Sequence, residues 1–216
     1  MPQEGRGLDM VAWHEETATA RRSGESVETK LRRIAEKARK EPGFKFTSLY
    51  HLMSEELLRG CFKGLRREAA AGIDKMTKEM YAENLEANLS KLIDRLHRMA
   101  YKPQPVRRKY IPKPGSTKQR PLGIPCFEDK LVQAGLVRIM ESIYERDFIE
   151  DSYGFRPGRS CHDALRALSE AVENNSVNHI VEADIKGFFD NVDQQWLMKF
   201  PAKISSNSNR DMLYLS

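Results

Sequence analysis

The stretch RRKYIPKPGSTKQRPLGIP, residues 107–125, decides the fold class. On either side of it, apolar residues recur at helical spacing; inside it the pattern changes. Val106 to Pro112 reads as a strand, Pro114-Gly115-Ser116 as a turn, and Arg120 to Pro125 as a second strand. The reading is a basic β-hairpin set among helices, hence an α+β chain. Arg107, Arg108, Lys109, Lys113, Lys118 and Arg120 fall between positions 107 and 120, with no acidic residue among them. Clustered cations suit a polyanion, because each phosphate contact releases counterions.

Outward from the hairpin the chain reads as helices. Ser26 is placed to cap a helix over Val27 to Lys40, with Leu31, Ile34, Ala35 and Ala38 as its apolar stripe and six basic residues around it. Pro42-Gly43 ends it. Ser54 caps a second helix carrying Leu57, Leu58, Cys61, Phe62 and Leu65, and Ala71-Gly72-Ile73-Asp74 breaks the pattern. Thr77 then caps one long helix in which Tyr81, Leu85, Leu89, Leu92 and Leu96 recur at three- and four-residue steps. Beyond the hairpin, Phe127 to Asp147 is helical, Ser160 caps a helix to about Val172, and His179 to Ile185 reads as a buried strand. Val192 to Phe200 begins another helix, which Pro201 interrupts. The first 25 residues and the Ser- and Asn-rich stretch from Pro201 to Ser216 hold no obvious packed element.

Composition narrows the class. The chain has 216 residues and a formal net charge of +5, with 31% charged and 40% apolar residues. That suits a globular protein with a real core. No apolar run approaches the ~20 residues that cross a bilayer, and the N-terminus lacks a signal-peptide pattern. The expectation is a cytoplasmic protein without a membrane partner. Cys61, Cys126 and Cys161 are odd in number and form no C-x-x-C pair. This speaks against a disulfide framework or a structural zinc site.

Three stretches have chemical content. In Val181-Glu182-Ala183-Asp184-Ile185-Lys186-Gly187-Phe188-Phe189-Asp190, an Asp stands at a strand end before a turn. This is a good place for a carboxylate to hold Mg²⁺, which prefers hard oxygen ligands. A helix cap or a strand-end carboxylate is the other reading of a lone Asp. In the hairpin, Lys113 and Arg120 sit near the ends of adjacent strands, where a point charge and a guanidinium fork suit a triphosphate. An ordinary solvated turn is the alternative. In SYGFRPGRS, residues 152–160, glycines permit close backbone approach, and Arg156 and Arg159 are candidates for phosphates.

These blocks, with FEDKLVQ after the hairpin, SYGFRPGRSCHDAL and ADIKGFFDNVD, resemble in order the reverse transcriptase of group II intron-encoded proteins. GIDK at Gly72 to Lys75 matches a turn found ahead of that family's fingers. The resemblance covers roughly Phe46 to Phe200. It implies a right-hand polymerase, with a basic N-terminal extension over 1–45, fingers over 46–163, the start of the palm over 164–200, and an unrelated or disordered tail over 201–216. It implies that Asp184 is the first catalytic aspartate, with the Ile185 carbonyl also near the metal. Phe189 or Phe188 would crowd the sugar and reject a ribose 2′-OH. Lys113 and Arg120 would hold the dNTP. Arg107, Arg108, Lys109, Lys118, Arg156 and Arg159 would face RNA. The family's later Tyr/Phe-x-Asp-Asp hairpin does not occur in this sequence. The expectation is therefore a truncated RNA-directed DNA polymerase that copies intron RNA, with a maturase role in the complete protein, Mg²⁺ as cofactor, and intron RNA and template-primer as partners. By itself it would polymerise little or nothing. An RNA-binding module without catalysis, and a non-functional remnant, are the other readings.

Overall fold

The computed structural model describes residues 25–47, 49–112, 115, 117, 119–188 and 191–204. The expectations for the first 24 residues and for 205–216 lie outside them. The elements in order are α1 (Val27–Lys40), α2 (Glu55–Gly64), α3 (Lys78–Ala82), α4 (Leu85–His97), β1 (Arg107–Pro112), β2 (Gln119–Ile124), α5 (Phe127–Tyr144), α6 (Cys161–Asn174) and α7 (Gln194–Ile204). Mixed helices with one small antiparallel hairpin make this an α+β chain. The chain divides into two compact units, and the division falls within α1 and within α5.

The first unit, residues 15–31 and 51–141, contains the larger core. The polar residues read as caps do their work. Ser26 Oγ accepts from Thr29 N, Ser54 Oγ from Leu57 N and Thr77 Oγ1 from Met80 N, each at 3.3 Å. Each satisfies an amide that its helix leaves without a partner. Leu57 and Leu58 of α2, Leu89, Leu92 and Leu96 of α4, and Leu131 of α5 are shut off from solvent. Truncating any one of them to Ala costs about 2–5 kcal/mol. Phe62, Tyr81 and Phe127 bring α2, α3 and α5 together, with ring centroids 4.7–6.3 Å apart. Gly135 of α5 allows close approach, because a Cβ there would stand 2.8 Å from Met53 Sδ and 3.2 Å from Leu58 Cδ2.

The helix expected after Thr77 is two helices. Glu83 and Asn84 form a turn between α3 and α4. Asn84 leaves the helical region at φ −130°, and Asn88 Nδ2 donates to the Tyr81 carbonyl at 3.1 Å, which pairs a carbonyl that the break exposes. Apolar spacing alone does not report such a break.

The second unit, which among the described residues takes in 32–50 and 142–204, has fewer buried side chains. Phe46 N donates to the Ile204 carbonyl at 2.7 Å, and Arg146 Nη2 to the Pro42 carbonyl at 3.0 Å. Ser160 and Asp163 form a reciprocal capping box at the start of α6. That helix buries none of its residues and exposes Leu165 and Leu168. Two expectations are corrected here. The stretch from His179 to Ile185 is neither a strand nor buried: Val181 is 88% exposed, and no described strand pairs with it. A strand needs a ladder partner, and its own residues do not supply one. Pro201 does not end its helix. Asp193 Oδ1 accepts from Gln195 N at 2.8 Å to open α7, which runs through a buried Pro201 to Ile204 with one intrahelical hydrogen bond missing.

Candidate nucleic-acid interface

The hairpin stands on a base made by the two blocks around it. Beyond β2 the chain turns through Pro125 and Cys126 into α5. Gly72 lies against that turn so closely that a Cβ would stand 2.7 Å from both Cys126 Cα and the Pro125 carbonyl oxygen. Two residues on, Asp74 Oδ2 accepts from Phe127 N at 3.2 Å, capping α5 from a distant part of the chain, while Asp74 Oδ1 accepts from Met76 N at 3.2 Å. The GIDK turn is thus a joint that holds the end of β2.

The other strand is held by Asp129. This carboxylate is buried in the first turn of α5, where acidic residues suit the helix dipole. It accepts from the Tyr101 hydroxyl and, at 3.1 Å, from Gln104 N, three residues before β1. Burial, and then this carboxylate, push the Tyr101 phenol far above its ordinary range, so it stays a donor. Beside it, Arg95 Nη2 meets Glu128 Oε2 at 2.6 Å. Lys130 Nζ donates to the Ala70 carbonyl, and burial lowers its pKa against the opposing pull of the Asp74 carboxylate. FEDK therefore anchors the approach to β1 and GIDK anchors the exit from β2.

On this base the strands pair as Arg107 with Ile124, Arg108 with Gly123, Lys109 with Leu122, Tyr110 with Pro121, Ile111 with Arg120 and Pro112 with Gln119. Ile124 is buried, while Arg107, Arg108, Lys109 and Arg120 are exposed. Two strands alone are marginal in water, so the base decides their position. The prolines and cations along them also discourage pairing with another chain. Lys113 and Lys118 lie outside the described residues.

The SYGFRPGRS loop is organised around Arg156. Its Nε and Nη2 donate to Glu145 Oε1 at 2.9 and 2.7 Å, and its Nη1 to the Ile149 and Ser152 carbonyls at 2.9 Å. Its guanidinium also lies 5.1 Å from the Phe148 ring centre. With Arg156 only 9% exposed, the expected phosphate contact is replaced by a loop-locking role. Four of its five donors are spent on carbonyls and a carboxylate. Arg159 pairs with Glu150 Oε2 at 2.7 Å, stacks over Tyr153 and keeps part of its surface.

Residues 111–214 match the family described as Reverse transcriptase (RNA-dependent DNA polymerase). The match passes the Phe200 at which the sequence reading ended the resemblance. The chain is 40% identical over 169 residues to the group II intron-encoded protein LtrA of Lactococcus lactis subsp. cremoris, which covers 78% of this chain and 28% of that protein. It is 42% identical over 132 residues to protein YkfC of Escherichia coli, covering 59% and 34%. It is 48% identical over 42 residues to nuclear intron maturase 2 of Arabidopsis thaliana, covering 19% and 6%.

The chain is related to the group II intron-encoded reverse transcriptases. It spans under a third of the length of LtrA.

Reverse transcriptases use divalent metal. Asp184 and Ile185 lie in an exposed, irregular segment that turns at Lys186 to Phe188. Phe189 lies outside the described residues. Among the described residues, no three His, Cys, Asp or Glu side chains come together to hold a metal ion. Asp184 alone does not match the carboxylate set that a pair of catalytic metals needs. The described residues include no helix long and apolar enough to cross a membrane. Sequence reasoning missed Gly72, Asp74, Tyr101 and Asp129 as supports. The only signal was that GIDK and FEDK recur as blocks in the family, and their partners lie 25–53 positions away.

Proposed function

We propose that this chain contributes part of an RNA-directed DNA polymerase that copies group II intron RNA into DNA, with a maturase role for the whole protein. In this reading residues 46–163 are fingers and 164–200 begin the palm. Lys113 and Arg120 hold the dNTP. Arg107, Arg108, Lys109, Lys118 and Arg159 face intron RNA and template-primer. Asp184 and the Ile185 carbonyl contribute to a Mg²⁺ site, and Phe188 or Phe189 crowds the sugar. The carrying observation is the cationic hairpin, held at its entry by Asp129 and at its exit by Asp74. No chemical step is assigned to Asp184 alone. A second reading, RNA binding without catalysis, is favoured by the exposed cations of the hairpin.

The test is RNA binding over a salt series. Each lost phosphate contact lowers the slope of log K against log salt by roughly 0.7–0.9. Replacing Arg107, Arg108 and Lys109 with Ala is expected to lower it by about two to three. Unchanged affinity and slope would remove the hairpin from the interface. In primer extension with Mg²⁺, the 216-residue chain is expected to be silent. Extension abolished by Asp184→Ala would overturn the binding-only reading.

A further inference from the structure

We propose that one face of the hairpin is a stacking platform for an unpaired base of single-stranded RNA, built on Tyr110 and Pro121. The inference rests on the hairpin as a nucleic-acid interface and names what that interface prefers. Residues directly opposite in an antiparallel pair share a face. The register therefore puts Arg107, Lys109 and Arg120 on one face with Ile111, Leu122 and the buried Ile124. That face has three cations and suits phosphates. The other face has one cation, Arg108, together with Tyr110 and Pro121 directly opposite each other.

This second face, which also holds Pro112 and Gln119, is exposed along its length. Tyr110 is 54% exposed. Gly123 presents no side chain, and Val106 closes over it, with Cγ2 3.3 Å from where a Cβ would stand. Val106, Tyr110 and Pro121 form an exposed strip beside Arg108. A ring beside a cation, within a stretch free of acidic residues from 107 to 124, matches the two-part chemistry of a nucleotide. The π-face of a base lies on the aromatic ring, and the phosphate meets the cation. A purely apolar protein partner would not require the cations. In a duplex, neighbouring pairs cover each base face, so stacking demands an unpaired base. The chemistry is tolerant of sequence, because every base has a π-face.

The experiment compares a single-stranded RNA containing one 2-aminopurine with a blunt RNA duplex, using the full chain, Tyr110→Ala and Tyr110→Phe. The full chain and Tyr110→Phe are expected to quench the 2-aminopurine. Tyr110→Ala is expected to lose the quench and roughly 10-fold or more in single-strand affinity, keeping duplex affinity and salt slope. Single-strand affinity unchanged in Tyr110→Ala, or an equal loss on both RNAs, overturns the platform and leaves the cationic interface standing. No binding of either RNA by the unsubstituted chain overturns the interface itself.

Discussion

Replacing Gly72 with Ala tests whether the hairpin's position is fixed by a backbone joint. The added methyl would stand 2.7 Å from Cys126 Cα, 2.7 Å from the Pro125 carbonyl oxygen and 2.8 Å from Cys126 N. All three are backbone atoms, so no side-chain rotation relieves the contact. A forced backbone shift of this kind costs about 1–3 kcal/mol. The shift also pulls Phe127 N away from Asp74 Oδ2, loosening the cap of α5 for about 1 kcal/mol more. Against this, Ala restricts the unfolded chain more than Gly does, which returns about 0.4–1 kcal/mol. The net loss is about 1–3.5 kcal/mol. For a chain of this size, each kcal/mol moves the midpoint by about 2–4 °C, so Tm should fall by roughly 2–14 °C. Thermal and urea denaturation of the full chain measure it. Gly43→Ala is the control, because nothing lies within 4 Å of its Cβ position, and it should stay within about 0.5 kcal/mol of the parent. If Gly72→Ala unfolds with the control, the close approach of GIDK to the hairpin base is wrong.

Arg156→Ala removes four hydrogen bonds and takes the Arg156 donors from the Glu145 carboxylate and the Ser152 carbonyl, while the Ile149 carbonyl keeps Ser152 N at 3.1 Å. The expected loss is about 2–4 kcal/mol, with faster amide exchange over 148–160 and an unchanged salt slope for RNA. A lowered slope with normal exchange would return Arg156 to the phosphate-contacting set. Burial pushes the Cys61 thiol from its ordinary 9.0 up to about 11, while Cys161 is exposed. At pH 8 a thiol reagent should therefore label Cys161 and leave Cys61 until the chain unfolds. Because the folded pKa is the higher one, this contribution is complete below pH 9 and is lost as pH rises towards 11. It amounts to about 1 kcal/mol by pH 10. A urea midpoint that does not fall more steeply in the parent than in Cys61→Ala over that range would contradict it. Amides over 179–185, exposed and without a ladder partner, should exchange far faster than those of α4, and equal protection would mean the segment is paired in solution.

Local chemistry is what the sequence by itself determined. Ser26, Ser54, Thr77 and Ser160 cap the helices they precede, because a cap needs only a side-chain oxygen within three residues of an amide. The hairpin was equally legible, since its turn and both strands lie within twenty residues. The order of its blocks also pointed to the family. Tertiary structure decided the matters that depend on distant partners. Arg156 read as a phosphate ligand because a guanidinium looks the same whether it faces solvent or Glu145. The break between α3 and α4 leaves the apolar spacing intact, so nothing in the pattern announced it. The stretch from His179 to Ile185 has strand composition, but pairing belongs to two segments and its residues specify only one. Gly72, Asp74 and Asp129 were invisible as a joint, because each acts on backbone atoms far along the chain, and those atoms carry no sequence signature.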